Sequence, residues 1–420
     1  MNSLKAFKSN ISSNKKILIV LIFFFSVLSR TIIAYFYGDR SLTNEWSILV
    51  QNLYFHNSLS LIRFDDIFLP NLWMPPLYAY FIYLHTFFFG IESKLINSIL
   101  ISQIFLSSLT SVLFLKILDR IFKGEIVFYG ALGFSLFPII VYSSSQISSI
   151  TLYLFLFMIF ALIVIEALNQ KKINRVILGI VSGLLILTSR DFILILAVSL
   201  IFLLYFKYIK FKSFLIISLM FLLTLSPYIT RNYIAFDKFI IHSGLGYNLW
   251  KAYNPLTKVE GYQNSNPKAI SGKYTDESKE LQLKLEKINQ DKYFRINEDK
   301  IYLDQAKDYI LEDPFKYTNL YFKRFLSFYF IDLNSSQKNY YNFFHVGPNL
   351  VVSFLSVLGL IFYNKKNRQF NYLAIIMILM VLVYASFAIL PRYKIYILPI
   401  QIIFSLYFIQ DIYQKLIKKN

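Results

Sequence analysis

Cysteine is absent from all 420 residues, so the chain can form no disulfide, no thiolate metal site and no cysteine nucleophile. Histidine is scarce. His56, His85, His242 and His345 stand far apart and make no HxxxH pair, which argues against a zinc site built from histidines. Charge is thin at 16% of residues, and 24 acids face 43 lysines and arginines. Apolar side chains fill the difference: 56% of residues are hydrophobic, 19% are aromatic, and the mean hydropathy is +0.51. A soluble chain of this length could not bury so much of itself.

The apolar residues come in continuous runs, such as 17–37, 95–115 and 372–390. Each approaches the roughly 20 residues that carry a helix across a bilayer. An all-α integral membrane protein follows, and the absence of alternation argues against a β-barrel. The net charge of +19 would point to nucleic acid in a soluble protein. Here the cations cluster in short loops between apolar runs, as orientation signals do, so the bilayer is the expected partner and nucleic acid is not. Lys15-Lys16 before the first run resembles a signal peptide. That run is too long for an h-region and has no small-x-small cleavage site, so it reads as a retained helix.

Sidedness follows from lysine and arginine. Lys5, Lys8, Lys15 and Lys16 place the N-terminus in the cytoplasm, and five later clusters, around Lys116, Lys171, Lys207, Lys365 and Lys415, should join it. The parity works with ten spanning helices, at 17–37, 94–116, 125–145, 151–168, 173–189, 191–206, 213–230, 346–363, 370–390 and 394–412, and with both termini inside. It requires that 75–91, which opens on two prolines and is interrupted by His85, lie at the interface rather than cross. The chain then divides into an N-terminal membrane module (1–230) with a first outer loop (38–93) bearing interfacial helices, a mainly helical outer segment (231–345), and C-terminal membrane helices (346–420).

The outer face collects the residues suited to chemistry. Glu45 and Asp39 in the first loop can each act as a general base on a hydroxyl or hold a divalent cation; the bland alternative is a solvated loop acid. Asp65-Asp66 could bind a cation, though adjacent acids in a loop are usually just solvated. Arg190 at a hairpin tip, Arg231 at the end of 213–230, and Arg392 and Lys394 at the start of the last helix all oppose the positive-inside trend. Guanidinium groups on one face suit phosphate, to which they offer paired donors. Arg190 could instead pair only with Asp191. Pro75 and Pro76 fit the first turn of a helix, and Trp73, Tyr78 and Tyr80 suit an interface. Arginines holding a lipid-linked phosphate as leaving group, with a carboxylate deprotonating an acceptor hydroxyl, would make a glycosyl transferase.

Taken in order, Asn44-Glu45-Trp46, Met74-Pro75-Pro76-Leu77-Tyr78, Leu187-Thr188-Ser189-Arg190, Arg231-Asn232-Tyr233 and Pro391-Arg392-Tyr393-Lys394 resemble the GT-C glycosyltransferases. Within them the chain is most similar to the bacterial branch that resembles protein O-mannosyltransferases (family 39) and the lipid A aminoarabinose transferase. Three positions depart from that pattern: Asn44 stands where an acid is frequent, 146–150 carries no acid, and Trp73-Met74 replaces a charged pair.

The resemblance implies a GT-C helix arrangement and an inverting transferase at the outer face of a bacterial inner membrane. The donor would be a polyprenyl-phosphate sugar and the acceptor a cell-envelope glycan, lipid or protein. Glu45, with Asp39, would be catalytic. Arg392, Tyr393 and Lys394, supported by Arg190 and Arg231, would hold the donor phosphate, and Pro75, Pro76 and Tyr78 would line the substrate. A divalent cation is the one cofactor this reading admits. Two other classes stay open: an O-antigen polymerase or ligase, and a lipid or glycan transporter, for which Glu166 is the main intramembrane ionisable candidate.

Overall fold

The structure, a computed structural model, describes residues 15–64, 67–91, 93–261, 276–332, 334–337 and 339–417. In chain order, α1 (Lys15–Tyr37) leads to α2 (Asn44–His56), a hairpin of β1 (Ser60–Phe64) and β2 (Ile67–Pro70), and α3 (Pro76–Phe89). Then come α4 (Ser93–Ile121), α5 (Ile126–Ser135), α6 (Pro138–Ser143), α7 (Ile150–Leu168), α8 (Arg175–Thr188), α9 (Phe192–Tyr205) and α10 (Phe211–Phe236). The large polar segment holds α11 (Leu245–Tyr253), α12 (Asp276–Glu286), α13 (Phe294–Glu312) and α14 (Pro314–Tyr329). The chain closes with α15 (Phe343–Phe362), α16 (Arg368–Ala385), a 3-10 turn at Pro391–Tyr393 and α17 (Lys394–Ile417).

Among the described residues seven helices are long and apolar enough to cross a membrane: α1, α4, α7, α10, α15, α16, and α17 with its leading turn. The helical form suits such runs because lipid offers no partner for a free backbone N–H or C=O. Three further apolar helices are shorter than the ten-span reading expects. The 14 residues of α8 or of α9 rise only about 21 Å. The run expected as one helix at 125–145 is broken, because Pro138 has no N–H to continue the ladder and instead starts α6. Arg30 of α1, fully buried, closes that break: Nη1 donates to the Ser135 carbonyl at the end of α5 (2.8 Å) and to Ser26 Oγ (2.7 Å), and Nε donates to Ser107 Oγ (2.7 Å). At 14 residues, α3 is also too short to span.

Close packing comes from small residues. Gly179 and Gly183 of α8 lie against α10, where an added methyl would stand 2.5 Å from the Ile217 carbonyl oxygen and 2.6 Å from Thr224 Cβ respectively. Gly359 of α15 touches the backbone of Phe404 in α17 in the same way. In the polar segment, α11 and α13 share a second core around Trp250, Tyr253, Tyr302 and Tyr309.

The basic clusters and the two long polar segments occupy opposite ends of the bundle. At the basic end Lys15 pairs with Asp119 (2.7 Å), Arg120 pairs with Glu166 (2.9 Å), and Arg368 lies over Phe206 (5.0 Å). The other end carries the hairpin, α2, α3 and α11–α14. The hairpin was not anticipated in 38–93. Arg231 and Asn52 hold it, the latter donating to the Ser60 carbonyl (2.9 Å). Asp65 and Asp66 lie outside the described residues.

Candidate functional site

The site is built on the end that carries the polar segments. Asp39 follows α1 and is half-buried. Its N–H donates to the Ser145 carbonyl (3.0 Å), and Oδ2 accepts from the Ile147 N–H (2.6 Å). Burial raises its pKa above the usual carboxylate value, and the Ile147 hydrogen bond offsets part of that rise. Its charge reaches Tyr78, Tyr142 and Tyr340. The rings of Tyr142 and Tyr340 meet edge-to-face at 5.0 Å.

The Tyr340 phenol also feels the opposite charge of Arg392, whose guanidinium lies 5.8 Å from the ring of its neighbour Tyr393. No carboxylate pairs with Arg392 among the described residues. Lys251, in the last turn of α11, is the third member. Burial and Arg392 lower its pKa, while Glu45 opposes the shift. Glu45 itself is exposed in the first turn of α2. Lys251 drew no attention in the sequence because it sits in a stretch full of lysines.

Arg190, at the α8–α9 tip, joins the group through Tyr393, whose phenol it feels along with Asp191 and Asp299. Its contact with Asp191 is loose, at 3.8 Å, and its Nη1 has no hydrogen-bond partner among the described residues.

No protein-family model and no curated protein sequence matches the chain.

Several residues expected at the site do other work. Lys394 is 3% exposed and points into the bundle, where Nζ donates to the Tyr329 carbonyl and to Ser353 Oγ (2.7 Å). Ser353 Oγ (3.0 Å) and Gln401 Nε2 (2.9 Å) donate to the same carbonyl, so the buried Lys394 caps the end of α14 inside the bundle. Arg231 spends its donors on the carbonyls of Asn71 (2.9 Å) and Leu59 (3.0 Å), pinning the loop around the hairpin. Pro76 opens α3 and is buried, with Pro75 before it as N-cap. The turn into it is set by Asn71, whose Oδ1 accepts from Trp73 and Met74 N–H (3.0 and 3.1 Å). Tyr78 is fully buried, donates to Gln103 Oε1 (2.6 Å) and packs on Trp46 (4.8 Å). These last residues shape the wall of the site.

Among the described residues no group of three histidines or carboxylates converges to hold a metal ion. Deeper in the bundle, α4, α7, α16 and α17 line a small apolar cavity of about 20 Å³ among Phe114, Phe157, Tyr372, Pro399 and Ile403.

Proposed function

We propose that this chain is a polytopic glycosyltransferase of GT-C architecture, with ten crossings and both termini cytoplasmic, acting at the outer face of a bacterial inner membrane. It moves a sugar from a polyprenyl-type phosphate to a hydroxyl of a cell-envelope glycan, lipid or protein. One observation carries the reading: the phenol of Tyr340 feels both the half-buried carboxylate of Asp39 and Arg392, which pairs with no carboxylate among the described residues.

In this reading Arg392, with Arg190 beside Tyr393, binds the donor phosphate and stabilises the charge it gains as leaving group. Asp39 accepts the proton of the acceptor hydroxyl, whose oxygen attacks the anomeric carbon from the opposite face. The bond from that carbon to the phosphate oxygen breaks, its electron pair goes to the phosphate, and the configuration inverts. Asp39 suits the base role better than Glu45, because burial favours a proton on its carboxylate and Glu45 is solvated beside Lys251. The isoprenoid tail would lie against the apolar faces of the membrane helices.

The test is transfer of labelled sugar from polyprenyl-phosphate donors by purified protein in nanodiscs. Arg392→Ala should reduce transfer by about a hundredfold or more, on the scale of losing a charge-stabilising donor. Wild-type-like transfer by Arg392→Ala and Asp39→Asn together would sink the assignment.

A further inference from the structure

Helix α14 belongs by position to the large polar segment, yet it carries apolar residues on two opposite sides. One side is packed, burying Tyr317, Arg324 and Phe328. Tyr317 meets Tyr253 of α11 edge-to-face at 5.6 Å. Arg324 Nη2 donates to the carbonyls of Ala252 (2.6 Å) and Lys258 (2.9 Å), so this side supports the polar segment. The residues left over are Phe315, Phe322 and Leu326, which are 84%, 59% and 56% exposed. At about 100° per residue they form one stripe roughly 160° from the packed side. The stripe therefore faces away from the polar segment. Lys316 and Lys323, also exposed, stand along its edge.

The contacts of α14 with the apolar helices fix its depth. The Tyr321 hydroxyl donates to the Leu382 carbonyl (3.1 Å) in the last turn of α16, where the Ser386 N–H has turned to Val383 (3.2 Å). Leu382 stands roughly 21 Å up α16 from Arg368 at about 1.5 Å per residue. Arg368 marks the basic end, and a bilayer's hydrocarbon is roughly 30 Å thick, so Leu382 lies within it. Ile375, Ile378 and Leu382 form an exposed stripe on α16. Acyl chains covering that stripe reach the level of Tyr321 and run on to Phe322. Phe328 also stacks on Tyr384 (4.8 Å). From Tyr321 to Phe328 α14 advances about 10 Å, whereas Leu382 and Tyr384 are only about 3 Å apart along α16, so α14 crosses that helix steeply. Its last carbonyl, on Tyr329, accepts from Ser353 of α15 (3.0 Å) and Gln401 of α17 (2.9 Å), both fully buried. Side-chain donors there supply what lipid denies to a helix end.

We infer that α14 is embedded in the bilayer leaflet at this end of the bundle, with Phe315, Phe322 and Leu326 against acyl chains and Lys316 and Lys323 at phosphate headgroups. An apolar stripe edged by lysines is the pattern of a helix lying in the interface. Lysine stems can follow the apolar surface and bring their ammonium groups to headgroup level, where anionic phospholipid attracts them. A second copy of the chain docked two-fold on this stripe would instead bring the same lysines towards one another. The placement goes beyond the proposed transfer and holds whichever reaction the site performs.

The full chain has no cysteine, so single-cysteine variants of it can be labelled directly. Phe322→Cys and Leu326→Cys carry an environment-sensitive fluorophore in nanodiscs of phosphatidylcholine and phosphatidylglycerol. Ile378→Cys in α16 is the lipid reference, and Lys300→Cys, exposed on α13, is the water reference. Phe315→Cys replaces either test variant that does not fold. Both test labels should be quenched by nitroxide-bearing acyl chains as fully as the Ile378→Cys label. They should also be protected from aqueous iodide, which quenches the Lys300→Cys label. Quenching by iodide and not by the acyl nitroxide overturns the placement. Protection from both quenchers overturns it too, and leaves a second protein surface as the occupant.

The headgroup contact has its own readout. Wild type should melt at a higher temperature in phosphatidylglycerol than in phosphatidylcholine nanodiscs. The double variant Lys316→Gln, Lys323→Gln should lose part of that shift, while Lys300→Gln, Lys307→Gln keeps it. An equal shift in the two double variants overturns the headgroup contact.

Discussion

Arg392 and Lys394 are two positions apart and have opposite fates. Arg392 sits in the 3-10 turn before α17 and faces the polar end, whereas Lys394, the first residue of α17, is turned inward onto the end of α14. Sequence spacing could not separate them, because both are cations at one helix start, and the carbonyl that claims Lys394 is 65 residues away. The same holds for Arg231, which is taken by carbonyls of the first polar segment. His242 and Lys251 were missed for the converse reason: an isolated histidine and one lysine among many carry no pattern until the chain folds them against Arg190 and Arg392. Asp39 gives a prediction at this scale. The carboxylate must be ionised to take a proton, and burial raises its pKa, so kcat/KM should fall on acidification through a value above the roughly 3.9 of an ordinary aspartate. Asp39→Asn should abolish that limb, and Glu45→Gln should leave its midpoint in place. An acid limb unchanged in Asp39→Asn would remove the base role.

Among the elements, the pair α8–α10 has the most direct bearing on the site, because α8 ends two residues before Arg190. Its glycines allow backbone contact with α10, and a larger side chain has no room there. Gly183→Leu should destabilise the protein by about 1–3 kcal/mol, the usual range for overpacking, and lower its melting temperature in detergent. Gly133, with nothing within 4 Å of its added methyl, is the control and should tolerate alanine without loss. Comparable melting of the two variants would show that the close approach is not needed. The break between α5 and α6 had a visible cause in Pro138, yet the unbroken apolar composition of the run concealed it. Arg30, buried in α1, could suggest an ion pathway. Its donors are all committed to serines and to the Ser135 carbonyl at the break, so it is a cap, and Glu166 is paired with Arg120 at the basic end. Neither residue favours a transporter.

For the whole molecule, the absence of cysteine makes orientation directly measurable. Lys287→Cys, exposed in the polar segment, should react with a membrane-impermeant maleimide on intact cells, and Lys171→Cys, exposed at the basic end, only after permeabilisation. The opposite pattern would invert the proposed topology and place the candidate site in the cytoplasm. Composition alone established that the chain is helical and suited to a membrane, since runs of about 20 apolar residues have no other stable form there. Loop charge alone sorted the connections into two ends, and the structure places the basic clusters together at one of them. Both are properties of short segments, which is why a linear reading could reach them. What only the tertiary structure decided is which polar groups remain available once the backbone has taken its share. Lys394 and Arg231 are consumed by carbonyls, whereas Arg190 and His242 each keep a buried nitrogen beside Gly244 without a partner among the described residues. That outcome depends on hydrogen bonds between residues 65 to 172 positions apart, and hydrogen-bond satisfaction is a property of the folded whole.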